Sequence, residues 1–351
     1  MKVISYLFVF IVFSCLMISC SGSGDTTQHV AWAVGHNNPS GPSTVLLSTD
    51  GGNNWSRSGE NAAVMQNFGA NNLYVPDAQN IWVVGTNSTI IHSSNQGNSW
   101  EKITTIPSAV GSNEFYDISV VGNRHFWVSA FSGLVLHSSD AAQTWTVHDL
   151  SSFNLGVVQG IKAIDENVIY AVGGETNSTK GVVVRTVDGG TTWEQISNAK
   201  VDFPAGVIGV TATDVNHVTI NGAQGSCAST ADGGTTWESC SKVMAGGGAN
   251  ADINDLIMLD TENWWAALDF NYIILTHDRG INWIEQNALG VSNLFLLGID
   301  AINNSHAVTV GSTQSYPMSG YAFVTHDGGT TWTQSNVPAN TNALSKVAYA
   351  P

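Results

Sequence analysis

Arginine occurs only four times in this chain of 351 residues, at Arg57, Arg124, Arg185 and Arg279. Lys and Arg together number 11 against 27 Asp and Glu, a formal net charge of −16. A surface of that sign repels phosphate backbones and argues against nucleic acid as a partner. Only 11% of residues are charged, and polarity comes instead from Asn, Ser, Thr and Gly, as in many exported β-proteins. Beyond residue 20 there is no Cys-x-x-Cys, no His-Glu-x-x-His and no Gly-rich phosphate loop, so no cofactor is expected. Helix-period apolar patterns are missing from the same stretch.

What the chain has in abundance is repetition. "STDGGNNW" (48–55), "SSNQGNSW" (93–100), "SSDAAQTW" (138–145), "TVDGGTTW" (186–193), "TADGGTTW" (230–237), "THDRGINW" (276–283) and "THDGGTTW" (325–332) are copies of one phrase, spaced 44 to 49 residues apart. A fixed period in this range signals stacked or radial repeats. Ahead of each phrase lie short alternating runs such as "IWVVG" (81–85) and "TIIH" (89–92), with a third upstream, such as "LYV" at 73 or "IKA" at 161. Runs of β-branched and aromatic residues bounded by Gly, Asn and Asp read as strands. With a strand after each Trp, every unit is a four-stranded antiparallel meander, and seven units predict an all-β, seven-bladed propeller. The first unit has no upstream strand, whereas "VAYA" (347–350) is spare after the last. The C-terminal strand should therefore join the N-terminal blade and close the ring, removing exposed edges.

The phrase itself reads as a structural turn between the third and fourth strands. Its Asp accepts backbone N–H groups, its Gly supplies positive φ, and its Trp packs between blades. The pairs are Asp50 and Trp55, Asn95 and Trp100, Asp140 and Trp145, Asp188 and Trp193, Asp232 and Trp237, Asp278 and Trp283, and Asp327 and Trp332. Asn95 departs from the Asp, and Ala141-Ala142 depart from the Gly pair, so blade 3 should have the loosest turn.

The phrase resembles the Asp-box, or bacterial neuraminidase repeat. The longer signatures "VVGTNSTIIHSSNQGNSW" (83–100) and "VGGETNSTKGVVVRTVDGGTTW" (172–193) resemble the photosystem II assembly and stability factor family. That resemblance implies a non-catalytic propeller scaffold that binds a protein partner, and a monomer. Asp-box propellers also include sialidases and xyloglucan hydrolases, so a carbohydrate-active or glycan-binding propeller is the alternative. The arginines fall in four blades and cannot form a sialidase's arginine triad, and xyloglucan hydrolases pair two propellers where one is present. No pair among Glu60, Glu114, Glu175, Asp202, Asp252 and Asp269 is singled out as a glycosidase pair.

"MKVISYLFVFIVFSCLMISC" reads as a signal peptide over 1–19, with "LMISC" resembling a bacterial lipobox. Cys20 is then the lipidated residue, Cys15 being the weaker alternative. Residues 20–29 become a tether and 30–351 the propeller. Ser21 after the Cys implies an outer-membrane lipoprotein that touches the membrane only through its lipid. Cys227 and Cys240 lie symmetrically about the fifth turn, where they form either a cross-strand disulfide or two unpaired thiols.

His125, His217 and His306 share one repeat position, and His92 and His137 another, so a metal cluster is not expected. Variable loops on the face opposite the turns carry aromatics suited to a protein or glycan contact. The binding candidates are Phe131, Phe203, Phe270, Tyr272 and Tyr316.

Overall fold

The apolar runs pair into seven four-stranded antiparallel sheets arranged around one axis. The structure is a computed structural model that describes residues 29–36, 43–59, 62–176, 180–196, 203, 206–240, 251–286, 290–291, 293–314 and 318–351. Cys20, the tether and Tyr316 lie outside the described residues. Blade 2 shows the pattern, from the axis outward: Ala70–Tyr74, Ile81–Gly85, Thr89–Ser93 and Glu101–Lys102. Blade 1 takes its inner strand from the far end of the chain. Lys346–Tyr349 pairs antiparallel with Ala31–Gly35, Trp32 facing Ala348. The ring closes as the repeat count requires.

Every box turn makes the same clamp. Its first hydroxyl, from Ser48 through Thr325, donates to the carboxylate or amide oxygen two residues on, at 2.8–3.0 Å. The same hydroxyl accepts the N–H four residues on, at 2.9–3.0 Å. The Asp oxygen also accepts the N–H of the residue before the Trp, at 2.8–2.9 Å. Its second oxygen takes that residue's own side chain, for example Thr192 Oγ1 on Asp188 at 2.6 Å. In blade 2, Asn95 keeps the geometry by reversing the last bond, its Nδ2 donating to Ser99 Oγ at 2.8 Å.

The box tryptophans bridge blades. Trp100 meets Trp32 edge-on at 6.2 Å, Trp193 meets Trp127 at 6.1 Å, Trp237 meets Tyr170 at 6.5 Å and Trp332 meets Trp265 at 5.9 Å. Trp55, Trp237 and Trp332 are buried, and Trp100, Trp145, Trp193 and Trp283 are partly so. Full burial of such a ring stabilises by roughly 1.5–3 kcal/mol. In the fifth blade Cys227 and Cys240 are joined by a disulfide, with Cα atoms 5.2 Å apart. Closing so short a loop contributes about 3 kcal/mol in the chain-entropy model.

Inner strands are stitched to one another by acceptors that reach across the seams. Asp117 Oδ2 accepts Ile161 N–H at 2.9 Å and Asp255 Oδ2 accepts Ile299 N–H at 2.9 Å. Two residues further along, Ser119 Oγ accepts Ala163 N–H at 3.0 Å and Asp300 Oδ2 accepts Tyr349 N–H at 2.7 Å. Burial pushes the Asp300 carboxyl up to about 6.

Two expectations follow for stability. The blade 3 turn is not looser than the others: Ala141 and Ala142 keep every clamp bond, yet sit at φ 59° and 66°, where an L side chain is strained. Ala141→Gly should raise the unfolding free energy by about 1 kcal/mol in a denaturant titration, whereas Ala62→Gly, outside that region, should not.

The second concerns pH. Unfolded chains release the Asp300 proton near 3.8, while the folded protein keeps it until about pH 6. The folded state binds more protons between these values, so this group's contribution to stability falls as pH rises across that window. Urea midpoints measured across the window should decline less steeply in Asp300→Asn than in the parent.

Candidate functional site

Inner strands run from the face of the variable loops toward the face of the box turns. Six of the seven carry a register shift, in most of them at the end nearest the variable loops, between Ala70 and Asn72, for instance, and between Ile253 and Asp255. A bulge re-aims the extra residue. The residues so turned, among them Asn71, Tyr116, Gln159 and Asn254, line an axial cavity of 280 Å³. The residues just after the shift complete its wall with Asn72, Asp117, Asp255 and, from the closing strand, Lys346.

These groups form a connected polar network. Lys346 Nζ donates to Asp255 Oδ1 at 2.6 Å, passing the inner strand of blade 7. It can do so because Gly298 stands there, where a Cβ would lie 2.9 Å from Lys346 Cα. Burial opposes the charge on Lys346, yet Asp255 and Asp117 together hold its pKa above the ordinary lysine value. Asp117 is pushed up by burial, and its Oδ1 accepts Asn72 Nδ2 at 2.7 Å. On the same side, Glu114 accepts Asn71 Nδ2 and Tyr116 OH, each at 3.1 Å. Burial and then Glu114 push the Tyr116 phenol up to about 12, so it stays a donor.

Two exposed aromatics lie outside the cavity lining, each one hydrogen-bonded step from it. Phe131 is 48% exposed; its N–H donates to Glu114 O at 3.0 Å. Phe270 is 52% exposed and its ring lies 5.9 Å from that of Phe295. It occupies φ 60° in a two-residue hairpin turn, with Asn271 at 70°. Such turns need positive φ at both positions, which suits Asn and Gly but strains a bulky ring. The turn connects to the cavity through Asp269, which accepts Asn254 Nδ2 at 2.8 Å. Burial raises the Asp269 pKa.

The other expected binding residues behave differently. Phe203 is 4% exposed and packs among Tyr170, Val207 and Trp237, so it belongs to the core and offers no ring to a partner. Tyr272 is partly buried against Ile253, Leu268 and Ile274. The cavity residues Asn71, Tyr116, Asp117, Gln159, Asn254, Asp255 and Lys346 were not singled out from sequence. Their signal was present: aligned by repeat, the position after the bulge reads Asn72, Asp117, Gly160, Gly209, Asp255, Gly298, Lys346.

The histidines gather more closely than their repeat positions imply. His137 stacks on Trp127 at 3.8 Å, with His125 at 5.7 Å and His148 at 6.2 Å from it, all in blade 3. Burial pushes His137 down to about 4, so that ring is neutral at neutral pH. Among the described residues no group of three or more His, Cys, Asp or Glu is placed to hold a metal ion.

The family model of the photosynthesis system II assembly factor YCF48 matches residues 71–209. No curated protein sequence matches the chain. Among solved structures, YCF48 bound to a D1 peptide is 17% identical, with a TM-score of 0.59 over 80% of this chain and 90% of that one. YCF48 from Cyanidioschyzon merolae is 14% identical, with a TM-score of 0.55 over 89% of this chain and 96% of that one. The GH74 xyloglucanase from Xanthomonas campestris is 12% identical, with a TM-score of 0.58 over 76% of this chain but only 45% of the enzyme. Identities this low speak for the fold alone, and the family model covers less than half of the chain. The chain is an Asp-box seven-bladed propeller that resembles the photosystem II assembly factor family.

Proposed function

We propose that this propeller is a non-catalytic scaffold that captures a polypeptide segment at the axial mouth on its loop face. The observation that carries the reading is Phe270, a bulky residue in left-handed backbone with its ring half exposed, next in sequence to Asp269, which bonds Asn254 of the polar cavity. Strain of this kind costs about 1–3 kcal/mol and concentrates where a side chain must be presented. Phe131 and Phe270 supply apolar anchors, and the side chains of Asn71, Gln159 and Asn254 supply donors and acceptors suited to peptide groups. A YCF48 propeller of the same architecture has a D1 peptide bound, which supports peptide capture as something this fold can do. The net charge of −16 favours a partner segment that is basic or apolar. Lipidation of Cys20 would hold the ring at the outer membrane on its tether. A second reading, glycoside chemistry, draws on Asp269, whose pKa is raised by burial and by neighbouring Asp252, and on the likeness to a GH74 enzyme. Hydrolysis of xyloglucan by the purified protein would establish that reading instead.

Phe270→Gly separates binding from stability, because it removes the ring and the strain together. Capture of partners from detergent-solubilised envelope should fall about tenfold, while the unfolding free energy rises by about 1 kcal/mol. Unchanged capture would remove Phe270 from the site. Cys20→Ser should in the same preparation shift the protein out of the membrane fraction; retention there would refute the anchor.

A further inference from the structure

In blades 2 to 7 the first and second strands are joined by a turn on the box face, and that turn is bonded to the blade's own box. The carbonyls of Gln79, Arg124, Asn167, Asn216, Glu262 and Ser305 each accept the N–H of the residue after the box Asp or Asn, at 2.9–3.2 Å. Blade 1 has no such turn, because its inner strand comes from the far end of the chain. His29 stands in for it. Its carbonyl accepts Gly51 N–H at 2.9 Å, and its ring meets that of Tyr349 edge-on at 6.4 Å. The Tyr349 hydroxyl in turn donates to Gly51 O at 3.0 Å. The chain therefore enters the ring on the box face, fixed to the first box.

Two lengths then decide which face a lipid on Cys20 can bring to a bilayer. From Cys20 to His29 the chain reaches at most about 30 Å, even fully extended. The ring is as deep as that, since the nine-residue inner strand Leu155–Ala163 spans about 30 Å between the faces. A bilayer beside the box face is within easy reach of the lipid. A bilayer beside the loop face is reached only with the whole tether laid straight along the ring wall.

Charge decides how closely that face approaches. The boxes carry six carboxylates, and the turns between first and second strands add Asp77, Asp165, Glu166, Asp214, Asp260 and Glu262, against Arg124 and Arg279. Hydrogen bonds from Thr144 and then Ser138 hold the Asp140 carboxyl down to about 2, so it stays ionised. Anionic headgroups repel such a face across a Debye length of about 8 Å at physiological salt. We propose that the box face looks onto the membrane across a narrow aqueous gap while the axial mouth opens on the far side. The segment captured there then belongs to a partner that extends into the aqueous phase, a ring's depth away from the bilayer. This inference rests on the lipid anchor at Cys20 and on capture at the axial mouth.

The test places one fluorescent donor on each face and the acceptor on lipid headgroups. Gln143→Cys lies in the box of blade 3, and Ala109→Cys lies in the loop-face segment Ser108–Val110 that leads into the same blade; both positions are exposed. Cys227 and Cys240 are held in their disulfide, so only the added thiol takes the dye. The full lipoprotein is reconstituted in vesicles of phosphatidylethanolamine and phosphatidylglycerol. With the faces about 30 Å apart, transfer from position 143 should exceed transfer from position 109 at least about twofold. Inserting about 40 Gly and Ser residues after Asp25 makes the tether longer than the ring is deep and should bring the two transfers together. Vesicle flotation and intact mass report the lipid separately. Protein that floats yet transfers equally from both positions, or more from position 109, overturns the orientation while the anchor stands. Protein that carries no lipid on Cys20 and stays off the vesicles overturns both. A difference that survives the insertion means that the box face adheres to lipid, and it overturns the aqueous gap.

Discussion

Outer strands of the blades have almost no ladder of their own. Those of blades 1, 2, 4, 5 and 7 are two residues long, as in Ser56–Arg57 and Glu194–Gln195. What keeps such a strand beside its neighbour is the hydroxyl of the box turn, which accepts one backbone N–H while donating to a carboxylate that accepts another. The bonds are local in sequence and hold the turn without help from a ladder, so the Trp that follows is aimed at the adjacent blade. Inter-blade packing, and through it the axial cavity, depends on seven repetitions of this small device.

The sequence disclosed whatever recurs. Blade number, strand order and closure by 347–350 could all be read because each is stated several times or completes a count. Even the hydroxyl or amide before each Trp, from Asn54 to Thr331, was present in every copy, although its bond to the box carboxylate emerged only with coordinates. The site was less legible because it breaks the period. Lys346 acts as a cavity residue only because blade 7 has Gly298 at the same level and lets it pass. Loop aromatics were a coarser guide: Phe131 and Phe270 stand exposed, while Phe203 turns inward to fill the space left by Gly181 and Gly222. Sequence gives a loop residue's place in the order but not the direction of its ring.

The same contrast applies to the seam at Thr219. Blade 5 offers Thr219 where most blades offer a ring, and Trp264, Trp283 and the disulfide fill that seam instead, with Cys240 against Gly280. The covalent link thus takes part in the packing of a seam whose repeat position carries no ring.

Closure by the last strand has a kinetic side. Ala31–Gly35 is made first, yet its inner-edge partner Lys346–Tyr349 is made last. Until then the first blade has an open edge, and the earlier blades wait on a contact of nearly maximal sequence separation, which slows folding. That late strand also delivers the lysine of the axial cavity. A ring that has not finished assembling therefore leaves Asp255 without its lysine partner, and only the completed ring presents the full polar network.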